Sequence, residues 1–128
     1  MGPLQVLEDK YKAQGFHVLG FFSNDFGNQG GTDEQIDACT ATHAVAFQLF
    51  SIDHVKDAPV RPVFDWLLAQ PNPGPAATVA PTWNFQKYLI SRAGELVGTW
   101  SPSEWPGDNP TDTAKGKIAA AIETQLAL

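Results

Sequence analysis

Apolar positions along the chain change their period several times, and each change marks a new element. Pro3 suits the first position of a helix, where its missing N–H costs nothing. Leu4, Leu7 and Tyr11 then fall on one face at helical spacing, with Gly15 as the C-terminal stop. The run from Phe16 to Phe22 is short, apolar and β-rich, and it reads as a buried strand. Residues 23–31 are turn formers almost throughout, which predicts a loop at the strand's C-terminal end. Thr32 and Gln35 make a capping box that opens a second helix through Ile36 toward Cys39. A second strand is expected over Val45 to Phe50. Pro62 begins a third helix, with Val63, Trp66, Leu67 and Leu68 directed inward.

Four prolines and one glycine in residues 71–81 predict a stiff surface loop. Phe85 with Lys87 to Ile90, and then Leu96 to Trp100, read as strands. The Ser91-Arg92-Ala93-Gly94 turn between them makes that pair antiparallel. A Pro-, Gly- and Asp-rich stretch over 102–112 leads to a last helix, Ala114 to Leu126, with Ile118, Ile122 and Leu126 on one side. Helices alternating with strands, closed by an antiparallel pair, predict an α/β three-layer sandwich in one domain over residues 1–128. The opening helix has no strand before it, which is unusual for this architecture.

Composition narrows the function classes. At 43% hydrophobic and 17% charged residues, the chain has the make-up of a folded domain and not of a disordered segment. A formal net charge of −6 supplies no basic field to draw in phosphates, so a nucleic-acid partner is not expected. No apolar run reaches the ~20 residues of a membrane-spanning helix. The start, Met1-Gly2-Pro3-Leu4-Gln5, has neither the basic beginning nor the apolar core of a signal peptide. The location is left unknown at this level, with the cytoplasm favoured. One cysteine, Cys39, allows neither an internal disulfide nor a thiolate metal cluster. His17, His43 and His54 stand at no ligand-like spacing, and no metal is expected.

Three segments, taken in order, resemble the glutathione peroxidase family, a branch of the thioredoxin fold. Leu19-Gly20-Phe21 with Asn24, Phe26-Gly27 and Gln29 is similar to the family's strand and its Asn-Gln-Phe-Gly-x-Gln loop. Trp83-Asn84-Phe85-Gln86-Lys87-Tyr88-Leu89-Ile90 is close to its Trp-Asn-Phe-x-Lys-Phe-Leu signature. Gly94-Glu95-Leu96-Val97 follows as the glycine turn at the expected distance. In that family a cysteine or selenocysteine at the start of the first helix attacks the peroxide, its anion favoured by the helix N-terminus. Neutral donors surround it: a glutamine side chain, an indole N–H and an asparagine amide, which bond the anion and the peroxide oxygen without consuming a proton. The resemblance assigns Gln29, Trp83 and Asn84 to those places. Without it, Gln29 and Asn84 read as turn residues and Trp83 as a core aromatic.

The resemblance further implies a hydroperoxide substrate, glutathione or thioredoxin as reductant, and neither a metal nor an organic cofactor. The short loop over 70–82 implies a monomeric or dimeric parent. The match begins inside the family's first helix, so the attacking residue and the preceding core strand are expected to be missing. A sheet lacking that strand would leave buried backbone unpaired, and the chain is expected to rearrange, swap with another copy or be marginally stable. Phe22-Ser23-Asn24-Asp25 stands where the family usually has Pro-Cys-Asn-Gln, Gly30-Gly31 where Glu-Pro is common, and Gln48 where Phe-Pro-x-Phe is usual. Cys39 sits toward the C-terminal half of its helix, a poor place to stabilise a thiolate, and reads as a packed, inert thiol, a resolving role being the alternative. The Asp33, Glu34 and Asp37 cluster reads as a solvated cap. Two functions stay open at this level: a peroxidase scaffold, or a non-catalytic module on the same fold. Another thioredoxin-fold redox protein would need a Cys-x-x-Cys, which the sequence lacks.

Overall fold

The helix that Pro3 opens forms as α1 (Gly2–Tyr11), and a 3-10 turn over Lys12–Gln14 carries it to Gly15. Gly15 ends it at φ 93°, a left-handed conformation that a side chain resists. This computed structural model describes residues 2–27, 31–106 and 116–128. The remaining elements are β1 (Leu19–Phe21), α2 (Asp33–Thr42), β2 (Gln48–Phe50), α3 (Pro62–Leu68), β3 (Lys87–Ile90), β4 (Leu96–Trp100) and α4 (Lys117–Leu126). They divide between two compact units. One gathers α1, β1, α2, β2 and α4; the other combines the turn after β1 with Asp53–Glu104.

In the first unit β1 and β2 run parallel, with Leu19 opposite Gln48 and Phe21 opposite Phe50. The Phe21 and Phe50 rings stack at 4.5 Å, a contact worth about 0.5–1.5 kcal/mol beyond its buried area. Two buried polar side chains of α1 fasten the strand approaches. Gln5 accepts from the backbone N–H groups of Ala46 and Phe47, at 2.6 and 3.2 Å. Glu8 accepts from the Val18 N–H at 2.6 Å and meets His17 Nδ1 at 3.1 Å. Such bonds offset the cost of burying an amide and a carboxylate. From α4, Ile118, Ala119 and Ile122 are buried, and Glu123 accepts from the Tyr11 hydroxyl.

The buried strand expected over Phe16 to Phe22 is shorter and more open than its composition implies. Only three residues pair, and Leu19 is half exposed, because this sheet has two strands and few neighbours to cover a side chain. The α2 capping box forms as expected: the Gln35 N–H donates to Thr32 Oγ1 at 3.2 Å, and the Thr32 N–H donates to Gln35 Oε1 at 2.9 Å. Asp33 and Glu34 lie in the first turn, where they complement the helix dipole. Cys39 requires a correction. It is exposed and not packed, because α2 buries none of its residues.

In the second unit β3 and β4 pair antiparallel across the Ser91–Gly94 turn, with a register shift between Leu89 and Ile90. The loop over 71–81 lies against β4. The Ala76 N–H donates to the Thr99 carbonyl at 2.9 Å, and the Thr99 N–H donates to the Gly74 carbonyl at 3.0 Å. Thr99 Oγ1 adds a bond to Asn72 Oδ1, and Thr99 is wholly buried. The inward face of α3 also differs from expectation: Phe64 and Leu67 are buried, while Trp66 and Leu68 are exposed. A seven-residue helix has room for one i, i+3 pair on its inner side, and Phe64 takes the place given to Trp66. Of the other tryptophans, Trp100 is buried and Trp105 exposed. The Ala114 start of the last helix lies outside the described residues, and Leu126 is half-buried.

Candidate active site

The second unit brings two of the segments named from sequence to one place. The turn that follows β1 contains Phe26, which is buried, and Gly27, which takes φ 66°. A side chain at that φ would be strained, so glycine lets the chain turn there. Asn84 lies just ahead of β3, and its Nδ2 donates to the Phe26 carbonyl at 3.3 Å. The Trp83 ring stands 5.9 Å from the Phe26 ring, tilted by 53°, and half of Trp83 is exposed. Trp83 and Asn84 thus meet the turn after β1. Gln29 lies outside the described residues.

The backbone beside them is held in an uncommon shape. Phe85 has φ 66°, left-handed for a bulky residue, and the residue is 58% exposed. Such a conformation costs roughly 1–3 kcal/mol and persists only where neighbours hold it. On one side is the Asn84 bond to Phe26. On the other, Lys87 Nζ donates to the Pro102 and Glu104 carbonyls, each at 2.8 Å. Burial pushes the Lys87 ammonium down from 10.5 to about 8, with Glu104 opposing the shift. Tyr88, further along β3, donates its hydroxyl to the Val79 carbonyl at 2.6 Å, and burial raises its pKa.

Sequence reasoning missed the strongest polar cluster of this unit. The Asp25 side chain is only 3% exposed, and its carboxylate gathers four N–H donors. His54 Nδ1 lies 2.7 Å from Oδ1; an ionised carboxylate can only accept, so the imidazole carries the proton there. The backbone N–H groups of Val55, Lys56 and Asp57 donate to Oδ2 at 2.8, 2.9 and 3.1 Å. Burial by itself would raise the Asp25 pKa. The His54 bond and the three backbone bonds outweigh it and hold the carboxyl well below the usual range. His54 is raised in turn, first by its bond to Asp25 and then by the charges of Asp25, Asp53 and Asp57. No spacing rule could have paired residues 29 positions apart.

Asp25, His54 and Asp57 also bring ligand-type atoms within 4.8 Å of one another. A cation would have to displace the imidazole or the backbone donors from Asp25, whose two oxygens are already engaged. The cluster is therefore a hydrogen-bonded clasp. Cys39, the chain's one cysteine, belongs to the other compact unit.

The family profile described as glutathione peroxidase matches residues 2–68. The chain is 40% identical over 105 residues to the glutathione peroxidase homolog BsaA of Halalkalibacterium halodurans, covering 80% of this chain and 66% of that protein. To BsaA of Bacillus subtilis it is 36% identical over 114 residues, 88% of this chain and 71% of the relative. To the glutathione peroxidase-like peroxiredoxin gpx1 of Schizosaccharomyces pombe it is 35% identical, covering 80% and 65%. The chain thus spans about two thirds of the length of these relatives. Among solved structures, the apo form of Trgpx superposes with a TM-score of 0.67 at 26% identity, over 98% of this chain and 69% of that one. With its thioredoxin-like α/β fold and these relatives, the chain belongs to the glutathione peroxidase family.

Proposed function

We propose that this chain is the donor-bearing scaffold of a thiol peroxidase that reduces hydrogen peroxide or organic hydroperoxides under oxidative stress. Glutathione or thioredoxin would serve as reductant. In such a reaction a thiolate or selenolate attacks one peroxide oxygen and the O–O bond breaks. Water or an alcohol departs, and the resulting sulfenic or selenenic acid is returned to the thiol or selenol by two thiols that leave as a disulfide, its oxygen released as water. The Trp83 indole N–H, the Asn84 amide and the Gln29 amide would donate to the attacking anion and to the leaving oxygen. The observation that carries this reading is the bond from Asn84 to Phe26, which brings the Trp-Asn-Phe segment against the turn after β1.

Cys39 is a poor attacker. It is the seventh residue of the ten in α2, away from the N-terminal end that would stabilise a thiolate. No cysteine accompanies Trp83 and Asn84 in their compact unit among the described residues. That observation favours a second reading, a non-catalytic module on the peroxidase scaffold. Hydroperoxide consumption by the purified chain, with glutathione and with thioredoxin, beside Cys39→Ser, tests both readings against attack by Cys39. The expected outcome is no turnover above buffer in either protein. Turnover lost in Cys39→Ser would assign the attack to α2 and overturn the scaffold reading.

Two-stranded sheets are marginal on their own, which supports self-association or strand exchange between copies, the parent protein being a monomer or dimer. Light scattering on the same sample is expected to give a mass above that of one chain; a monodisperse monomer refutes self-association. Among the described residues no helix is long and apolar enough to cross a membrane. A cytoplasmic location is part of this proposal.

A further inference from the structure

The clasp around Asp25 and the two donors Trp83 and Asn84 share one intermediary. Phe26 follows Asp25 directly, is 6% exposed, and offers its carbonyl to Asn84 and its ring to Trp83. Three contacts settle the path of the chain just before it. The Asp25 N–H donates to the buried Ser23 hydroxyl at 3.1 Å; His54 bonds one carboxylate oxygen; the Val55–Asp57 backbone bonds the other. Lys56, from the same turn, places its ammonium 5.5 Å from the centre of the Phe26 ring. The 54–57 turn therefore reaches Phe26 twice, through the Asp25 carboxylate and through the Lys56 cation.

We infer that Asp25 is a positioning residue for the proposed peroxide site: its carboxylate locks the 23–27 turn so that Phe26 holds Asn84 and Trp83 in place. The inference rests on the reading of those two residues as donors to the reacting atoms. The chemistry of the side chain fits the task. Three successive backbone N–H groups and an imidazole N–H need an acceptor with two oxygens and no hydrogen, which is an ionised carboxylate. A glutamine, the residue the family usually carries here, has one oxygen and an amide that would turn its own hydrogens toward the donors. The charged groups around the clasp are Asp53 and Asp57, which add negative potential at His54, and Lys56, which faces the Phe26 ring.

Two-dimensional 15N NMR of the labelled chain tests this without recourse to turnover. The Asn84 side-chain amide is assigned by its loss in Asn84→Ala, and the Trp83 indole N–H by its loss in Trp83→Phe. In Asp25→Ala both signals are expected to shift, together with the Val55, Lys56 and Asp57 amides, while the Leu89 and Thr99 amides of the hairpin stay in place. Movement of the 55–57 amides with Asn84 and Trp83 unmoved would confine the clasp to its own turn and overturn the inference. If Asp25→Ala does not fold, His54→Ala removes one arm and leaves the three backbone donors. The Asn84 and Trp83 signals must then move by a smaller amount, and signals that stay fixed overturn the inference equally. Turnover lost in Cys39→Ser, which overturns the scaffold reading, would leave these shifts unchanged, so the two failures are distinguishable.

Discussion

Phe85 shows how a single residue carries a cost that its neighbours sustain. Its φ of 66° belongs to glycine, and the residue is more than half exposed, so little burial compensates. Phe85→Gly is therefore expected to raise stability by about 1 kcal/mol, relief of the left-handed backbone outweighing the greater freedom of glycine in the unfolded chain. Denaturant melts of the two proteins measure this; a loss of stability would show that the exposed ring packs more than its area implies. Sequence could not reveal such a position, because a Trp-Asn-Phe string names the residues and not the torsions. The resemblance grouped Trp83 and Asn84 with Gln29 of the loop after β1, and the contacts of Asn84 and Trp83 with Phe26 come from the structure. Asp25 and His54 escaped notice because each looks like an ordinary turn residue until the chain brings them within 2.7 Å.

Among the elements, α2 depends on local chemistry more than any other. It buries no residue, so its capping box is a large share of what holds it. Thr32→Ala is expected to cost about 1 kcal/mol, a roughly fivefold loss of amide protection across Asp33–Thr42. Hydrogen exchange checks this, and unchanged protection in α2 would mean that packing holds the helix instead. Elements signalled by local grammar were legible in this way: the capping box, the Pro3 and Pro62 helix starts, and the glycine turn between β3 and β4. Burial was less so. Leu19, Cys39 and Trp66 read as interior from their character and spacing. They lie outside because coverage depends on which neighbours an element finds, and a two-stranded sheet finds few.

At the scale of the whole molecule, stability should follow three titrations in sequence. The Asp25 pKa is depressed, so its contribution is complete above its ordinary value of 3.8 and is lost as pH falls below it toward the folded value. The His54 pKa is raised, so its contribution is complete below 6.5 and is lost as pH rises past that through the folded value. Between 3.8 and 6.5 both are present in full. Lys87 acts in the opposite sense. Its folded pKa of about 8 lies below the unfolded 10.5, so the cost of burying the ammonium is relieved as pH climbs between the two. The difference in melting temperature between the wild type and His54→Gln is expected to be largest from 3.8 to 6.5 and to shrink above it. Lys87→Met is expected to lose the alkaline gain, and a gain that survives this change would place its origin elsewhere. His54 is exposed, so added salt should weaken its share first.

The clasp also has a meaning in polymer terms. His54 is 29 positions beyond Asp25, so their contact shuts the mouth of a long chain excursion that contains α2 and β2. The clasp and the β1–β2 pairing share this closure, which costs roughly 3 kcal/mol of chain entropy and rises only with the logarithm of length. Extending the excursion at the exposed His43–Ala44 corner after α2 therefore adds only a few tenths of a kcal/mol for ten more residues. Length in that segment is nearly free to vary, whereas the four N–H groups at its base leave little choice of what closes it.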